Sequence, residues 1–229
     1  MRILKGFVFT ALLCQFNVGI AQNKITIVDA PPDDHTWMGH YYRDILKSMG
    51  LIYRTTDTFE EVKGSECFND NPKLKEILTC VSHHLYSKDK EFVVFIPIYK
   101  PFSRQDSIEM KQMMPGGNFD HIDKQHTNSI RRDIGSSLGK DASLNWKQYV
   151  TYYSAKEAKT KFNADSAVFV PIKLDPQDYY KGKYNHMEAL YLQKKGRGFV
   201  NFYCFYTDKA KKKLPQYRKA IEEIFRYED

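Results

Sequence analysis

A chain of 229 residues with 42% hydrophobic side chains, and with 35 basic groups against 28 acidic ones, has the material for a packed core and a formal net charge of only +7. That excess is too small and too dispersed for a nucleic-acid reader, which concentrates Lys and Arg along one face. No nucleotide-binding loop, zinc signature, nucleophile elbow or internal repeat is present, so chemistries that carry a short motif are not expected, and neither a cofactor nor a metal is implied.

The chain opens MRILKGFVFTALLCQFNVGIAQ. Arg2 and Lys5 precede an apolar run, and Gly19 and Ala21 stand two apart, as small residues do before a signal-peptidase cut. Residues 1–21 therefore read as a secretory signal peptide and residues 22–229 as one domain, within the range of roughly 100 to 200 residues per domain. The apolar run is shorter than the roughly 20 residues that span a membrane, and no transmembrane segment is expected after cleavage. Lipid anchoring at Cys14 is not expected either, because Leu13 is larger than the small residue such processing requires. Loss of Arg2 and Lys5 lowers the basic excess further.

Past the leader, KITIVDA reads as a short strand, and a helix is expected from near Asp33 or Asp34 to Gly50, since Trp37, Tyr41, Ile45 and Met49 recur every four residues. NDNPKLKEILTCVSHHLYS reads as a second helix, with Pro72 in its first turn and Leu74, Ile77, Val81 and Leu85 on one stripe, carrying Cys80 inward. EFVVFIPIYKP is β-branched and aromatic and predicts a buried strand. Residues 103–118 are polar and Met-rich and run into the Pro-Gly-Gly turn. From Phe119 to Leu138, apolar residues at Phe119, Ile122, Ile130, Ile134 and Leu138 predict an amphipathic helix. KQYVTYYS then suggests a strand, SAKEAKTKFNA a helix capped by Ser154, and SAVFVPIKL another strand. EALYLQ and FVNFYCFY flank KKGRG as a β-hairpin. A final helix is capped by Asp208, with Pro215 kinking it or starting a fresh turn. The resulting class is α+β: a single domain with a mixed or mostly antiparallel sheet, helices over at least one face, and a C-terminal hairpin followed by a helix.

Three cysteines follow the leader, and an exported compartment permits disulfides. Cys67 and Cys80 are the natural pair, closing a short loop. Cys204 lies in a run whose two faces are both apolar, which suits a covered central strand and a thiol that behaves as a small hydrophobe rather than a nucleophile.

Residues 115–135, PGGNFDHIDKQHTNSIRRDIG, hold Asp120, His121, Asp123 and His126 within seven positions. On a helix His121 and His126 stand about 140° apart, whereas chelating histidines at i and i+4 stand about 40° apart, so one ion cannot readily take both. Asp123 and His126 do share a side and form the candidate catalytic pair of an exported hydrolase. The competing expectation is a partly buried histidine in the apolar stripe, oriented by Asp123. A separate candidate is the loop DPQDYYKGKYN, where Tyr179, Tyr180 and Tyr184 lie among polar residues and are not expected all to be buried. Together with Lys194, Lys195 and Arg197 at the hairpin tip they compose a docking patch for a protein with an acidic surface. The leading expectation is thus an exported, periplasmic or secreted, bacterial protein-binding domain without catalysis, in its most concrete form an immunity protein that neutralises a toxin in the envelope. The alternatives are the Asp123/His126 hydrolase and a glycan-binding module using exposed tyrosines.

Overall fold

The structure is a computed structural model describing residues 44–229, except 55, 63, 79, 82, 98–102 and 116–121, and leaving aside the side chains of 122 and 123. The leader, the KITIVDA strand, His121 and the side chain of Asp123 lie outside what is described.

A helix over 44–49 (α1) is followed by β1 Leu51–Tyr53, β2 Phe59–Val62, β3 Glu66–Cys67, α2 Leu74–Ile77, β4 Cys80–Val81, β5 His84–Ser87 and β6 Phe92–Phe95. Then come α3 Arg104–Met113, α4 Ile122–Leu138, α5 Lys140–Leu144, a 3-10 turn Trp146–Tyr149, β7 Thr151–Tyr152, α6 Ala155–Phe162 and β8 Ser166–Ile172. The chain finishes with β9 His186–Lys194, β10 Gly198–Tyr206, α7 Asp208–Lys211, α8 Leu214–Glu222 and β11 Phe225–Tyr227. Seven strands form the main sheet in the order β2-β5-β6-β10-β9-β8-β7, every neighbour antiparallel. Two small sheets, β1 with β11 and β3 with β4, complete it. The α+β class, the antiparallel sheet and the hairpin-then-helix ending are as expected. Among the described residues no helix is long and apolar enough to cross a membrane.

Period-two alternation builds a sheet with two buried faces. Phe92 and Val94 of β6, with Val200, Phe202, Cys204 and Tyr206 of β10, pack on one side; Val93, Phe95, Tyr203 and Phe205 pack on the other. The first side is closed by α1, α6 and α8 through Met49, Phe162 and Ile221. The second is closed by α2, α4 and α5 through Leu74, Ile130, Ile134 and Ala142. Each large side chain so buried contributes roughly 1.5–3 kcal/mol relative to exposure.

Several elements differ from expectation. The second helix stops after one turn: Leu78 is extended (φ −127, ψ 124), and β4 and β5 follow where the helix was expected to run on. A four-residue spacing is one helical step and also two strand steps, so Ile77, Val81 and Leu85 could not distinguish the two. The β-branched and aromatic content of TCVSHHLYS decides for strand. Cys80 is exposed, opposite Cys67 across β3–β4, with the two sulfurs 2.11 Å apart at disulfide distance. The polar stretch before Pro115 is a helix, α3, started by a capping box in which Ser103 accepts from the Asp106 amide and the Asp106 carboxylate accepts from the Ser103 amide. Ser154 caps α6 in the same way with Glu157. At the C-terminal helix the cap is Thr207, one residue before Asp208, and Pro215 starts a fresh helix, α8.

Candidate functional site

The richest buried polar chemistry lies under α4. His126, Ile130, Asp133 and Ile134 of this helix are all buried, a stripe at i, i+4, i+7 and i+8 that faces the sheet. Asp133 is wholly enclosed. Its carboxylate accepts hydrogen bonds from the Tyr191 hydroxyl, from the Tyr203 hydroxyl at 2.6 Å and from Arg132 Nε at 2.8 Å. The sheet places these tyrosines: Tyr191 on β9 stands opposite Asn201 on β10, and Tyr203 is two residues along on the same face. The two hydroxyls are 3.3 Å apart, and Asn201 Nδ2 reaches the Tyr203 hydroxyl at 3.4 Å. Burial drives the Asp133 pKa above the usual carboxylate range, opposed by Arg132 and the two phenols, and burial also drives both phenols well above theirs. The tyrosines therefore stay protonated and donate.

His126 packs edge-on against Tyr191 and Phe199, with ring centroids 6.0 and 6.1 Å away. Burial lowers its pKa to about 4, so the ring is neutral near pH 7. Among the described residues its Nε2 and the Asn201 Oδ1 have no hydrogen-bond partner. His126 thus lies buried in the apolar stripe, enclosed against aromatic rings among the described residues.

Arg132 carries the buried cluster to the surface. Its side chain is half-exposed, and beyond Asp133 its NH2 group lies 3.4 Å from both the Ile77 carbonyl and the Tyr203 hydroxyl. It lines an open cleft of about 530 Å³ with Arg131, Lys140, Ser136, Ser143 and Glu76. The α4–α5 contact at this cleft is close: a Cβ on Gly135 would meet the Ser143 Cβ at 3.1 Å. Leu144, at the rim, is 70% exposed. Three cations against one carboxylate, with two hydroxyls, form a surface suited to an anion.

The residues singled out from sequence are distributed differently. Tyr180 and Tyr184 are not surface groups: they are 5% and 1% exposed and stacked on each other, with Tyr180 packed against Phe68, Phe95 and Phe205 and Tyr184 against Tyr86. A tight turn with positive φ at Lys181 and Gly182 folds the loop inward, so the rings join the core while Lys181 and Lys183 lie over their faces. Only Tyr179 is half-buried. The hairpin tip is also engaged: Lys194 Nζ donates to the Asn163 carbonyl at 2.9 Å, and Arg197 donates to the Glu228 and Asp229 carbonyls. Lys195 alone of the three basic groups is exposed. The tyrosine loop precedes β9 and the tip follows it, so a strand rise of about 3.3 Å per residue separates them by roughly 26 Å. The loop and the tip thus stand at opposite ends of β9.

Cys204 is buried without a disulfide partner, and burial raises its thiol pKa well above the ordinary value, which removes the thiolate a nucleophile needs. Sequence reasoning missed Asp133, Tyr191 and Tyr203. Nothing in the local sequence ties Asp133 to the tyrosines, which lie 58 and 70 residues further along the chain. The one local signal was an aspartate in the gap between Ile130 and Ile134, on the apolar side of the helix. Among the described residues no group of three or more His, Cys, Asp or Glu side chains is placed to hold a metal. No protein-family model matches the chain, and neither a curated protein nor a solved structure matches it.

Proposed function

We propose that the chain is a protein-binding domain without catalysis of its own, exported to the envelope or beyond, and that it acts by holding another protein, in the manner of an immunity protein that neutralises a toxin. One observation carries the reading: among the described residues every large exposed hydrophobic, from Ile108 through Met113, Met114, Leu138, Leu144 and Tyr149 to Tyr152, falls in a single stretch of the sequence. Scattered exposed apolar groups are ordinary, whereas their concentration on successive elements marks an interaction surface. Leu138 ends α4, Leu144 ends α5, Tyr149 ends the 3-10 turn packed on both, and Tyr152 sits on β7 at the sheet edge. The cationic cleft opens beside them, which suits a partner with an acidic surface. Export rests on the leader-like first 21 residues and agrees with the cysteine pair at disulfide distance.

Site-directed photo-crosslinking in the native cell tests the reading. A photoreactive phenylalanine at position 144 or 152 should give one discrete protein adduct, and one at 195 should give none. Production of the crosslinked partner alone should inhibit growth, and co-production of the full chain should relieve it. Adducts at 195 only, or none at 108, 144, 149 and 152, would overturn it.

A further inference from the structure

We infer that the cleft between α4 and α5 is an anion pocket that seats a side-chain carboxylate of the partner, with Arg132 held toward it by the buried Asp133. This deepens the protein-binding reading and rests on it. The side chains of Arg131 and Lys140 make no hydrogen bond or ion pair among the described residues, so their charge is available at the cleft wall. Arg132 is constrained instead: Asp133 takes its Nε, and Asp133 is itself fixed by Tyr191 and Tyr203, which are rooted in two central strands. A guanidinium gripped at Nε by an enclosed carboxylate, with one terminal nitrogen turned to the Ile77 carbonyl and the Tyr203 hydroxyl, is held in a set orientation, keeps its other terminal nitrogen for the cleft and loses little freedom on binding. The buried cluster thus acts as the foundation of a surface cation, with Asp133 a positioning residue. Ser136 and Ser143 add hydroxyl donors, Glu76 marks the one repulsive side, and Leu144 supplies an apolar rim. The planar fork of Arg131, matched to a planar carboxylate, with the free terminal nitrogen of Arg132 beside it, favours an Asp or Glu side chain. Nothing here builds the glycine-rich cradle of backbone amides that phosphate sites use, since Gly135 lies inside α4.

The test titrates the folded full chain, labelled for NMR, with an acetylated and amidated tri-glutamate peptide, and in parallel with tri-glutamine and with inorganic phosphate. Expected are shifts centred on Arg131, Arg132, Ser136, Lys140 and Ser143 with tri-glutamate, weakening as added salt shortens the Debye length, and none with tri-glutamine. Arg131→Gln with Lys140→Gln, both at the surface, should weaken the peptide about tenfold, the scale of one hydrogen bond to a charged group. Asp133→Asn tests the positioning role. The Arg132 Nε–H resonance should lose its protected position and its response to the peptide, while Arg131 still responds and the aliphatic spectrum stays dispersed. Phosphate binding without tri-glutamate binding, or a peptide response that survives the double surface variant, overturns the proposal. Should the crosslinks at 144 and 152 form while tri-glutamate fails, the pocket is wrong and the binding reading stands; absence of the crosslinks removes the binding reading whatever the peptide does.

Discussion

The two faces of the central sheet are covered alike and filled differently. Beneath α1, α6 and α8 the core is aliphatic and aromatic, and its principal ion pair, Glu188 with Arg218, reaches out: Arg218 lies over the Phe169 ring and its side chain is 39% exposed. Beneath α4 the core encloses a carboxylate completely and spends two tyrosine hydroxyls on it. An apolar replacement of similar volume at such a place is often neutral or stabilising, so a fully buried charge is poorly explained by stability alone. The difference between the faces is that the charge under α4 is bonded to Arg132, which stands at the mouth of a cleft.

The sharpest way to break that comparison is to remove each carboxylate in turn. Asp133→Ala strands the two phenols and leaves Arg132 without its buried partner, and should cost about 3–5 kcal/mol, the range for breaking a buried pair. Glu188→Ala removes a bidentate contact, 2.9 Å from Arg218 Nε and 2.5 Å from its NH2 group, but the freed guanidinium can turn into water. Its cost should be about 2 kcal/mol. Both are read as the change in urea midpoint at constant slope. A Glu188 variant as damaging as the Asp133 one would remove the asymmetry between the faces.

What could be read from sequence follows the same divide. Long elements with one period were legible: the four-turn stripe of α4, the strand FVVF, the hairpin around KKGRG and the Ser154 cap. Short strands were not, because β1 and β11 are three residues each and find each other across the length of the domain. The helix expected through Cys80 failed on a spacing that fits either period. The candidate site was hidden for a different reason. Its members are unremarkable alone, and only a helix laid across two neighbouring strands brings Asp133 to Tyr191 and Tyr203. In the tyrosine loop polar neighbours do not signal exposure, because Lys181 and Lys183 stay exposed over rings that are themselves buried.

In their histidines the two faces are alike. His126 under α4 and His83 beside Tyr53 on the opposite side both have pKa values lowered to about 4, His126 by burial and His83 by burial and then by the nearby His84. As pH falls below 6.5 the unfolded chain takes up protons that the folded chain refuses, so stability is fully present above 6.5, declines between 6.5 and 4, and is flat for these groups below that. At pH 5.5 each histidine should account for about 1.4 kcal/mol of the loss relative to pH 7.5. Replacing His126 with Phe should flatten the profile by that amount. Asp133 works in the opposite direction, since a raised carboxyl pKa loses stability as pH rises above the unfolded value. The difference between wild type and the His126→Phe variant isolates the histidine. An unchanged slope would mean that His126 is protonated in the folded protein.

The smallest effect is the most useful for separating surface from core. Leu144 is 70% exposed, and Lys195 at the hairpin tip is exposed as well. Leu144→Ser and Lys195→Ala should each change unfolding free energy by less than about 0.5 kcal/mol, as substitutions away from packed features do. Equal silence in stability makes them a matched pair for function. If the apolar stretch from 108 to 152 is the interface, the serine at 144 should abolish capture of the crosslinked partner while the alanine at 195 leaves it intact. That outcome cannot be blamed on unfolding, because both variants keep the same midpoint. A Leu144 variant that instead loses more than about 1 kcal/mol would show that its side chain packs in solution, and would withdraw it from the interface along with the rim it gives the cationic cleft.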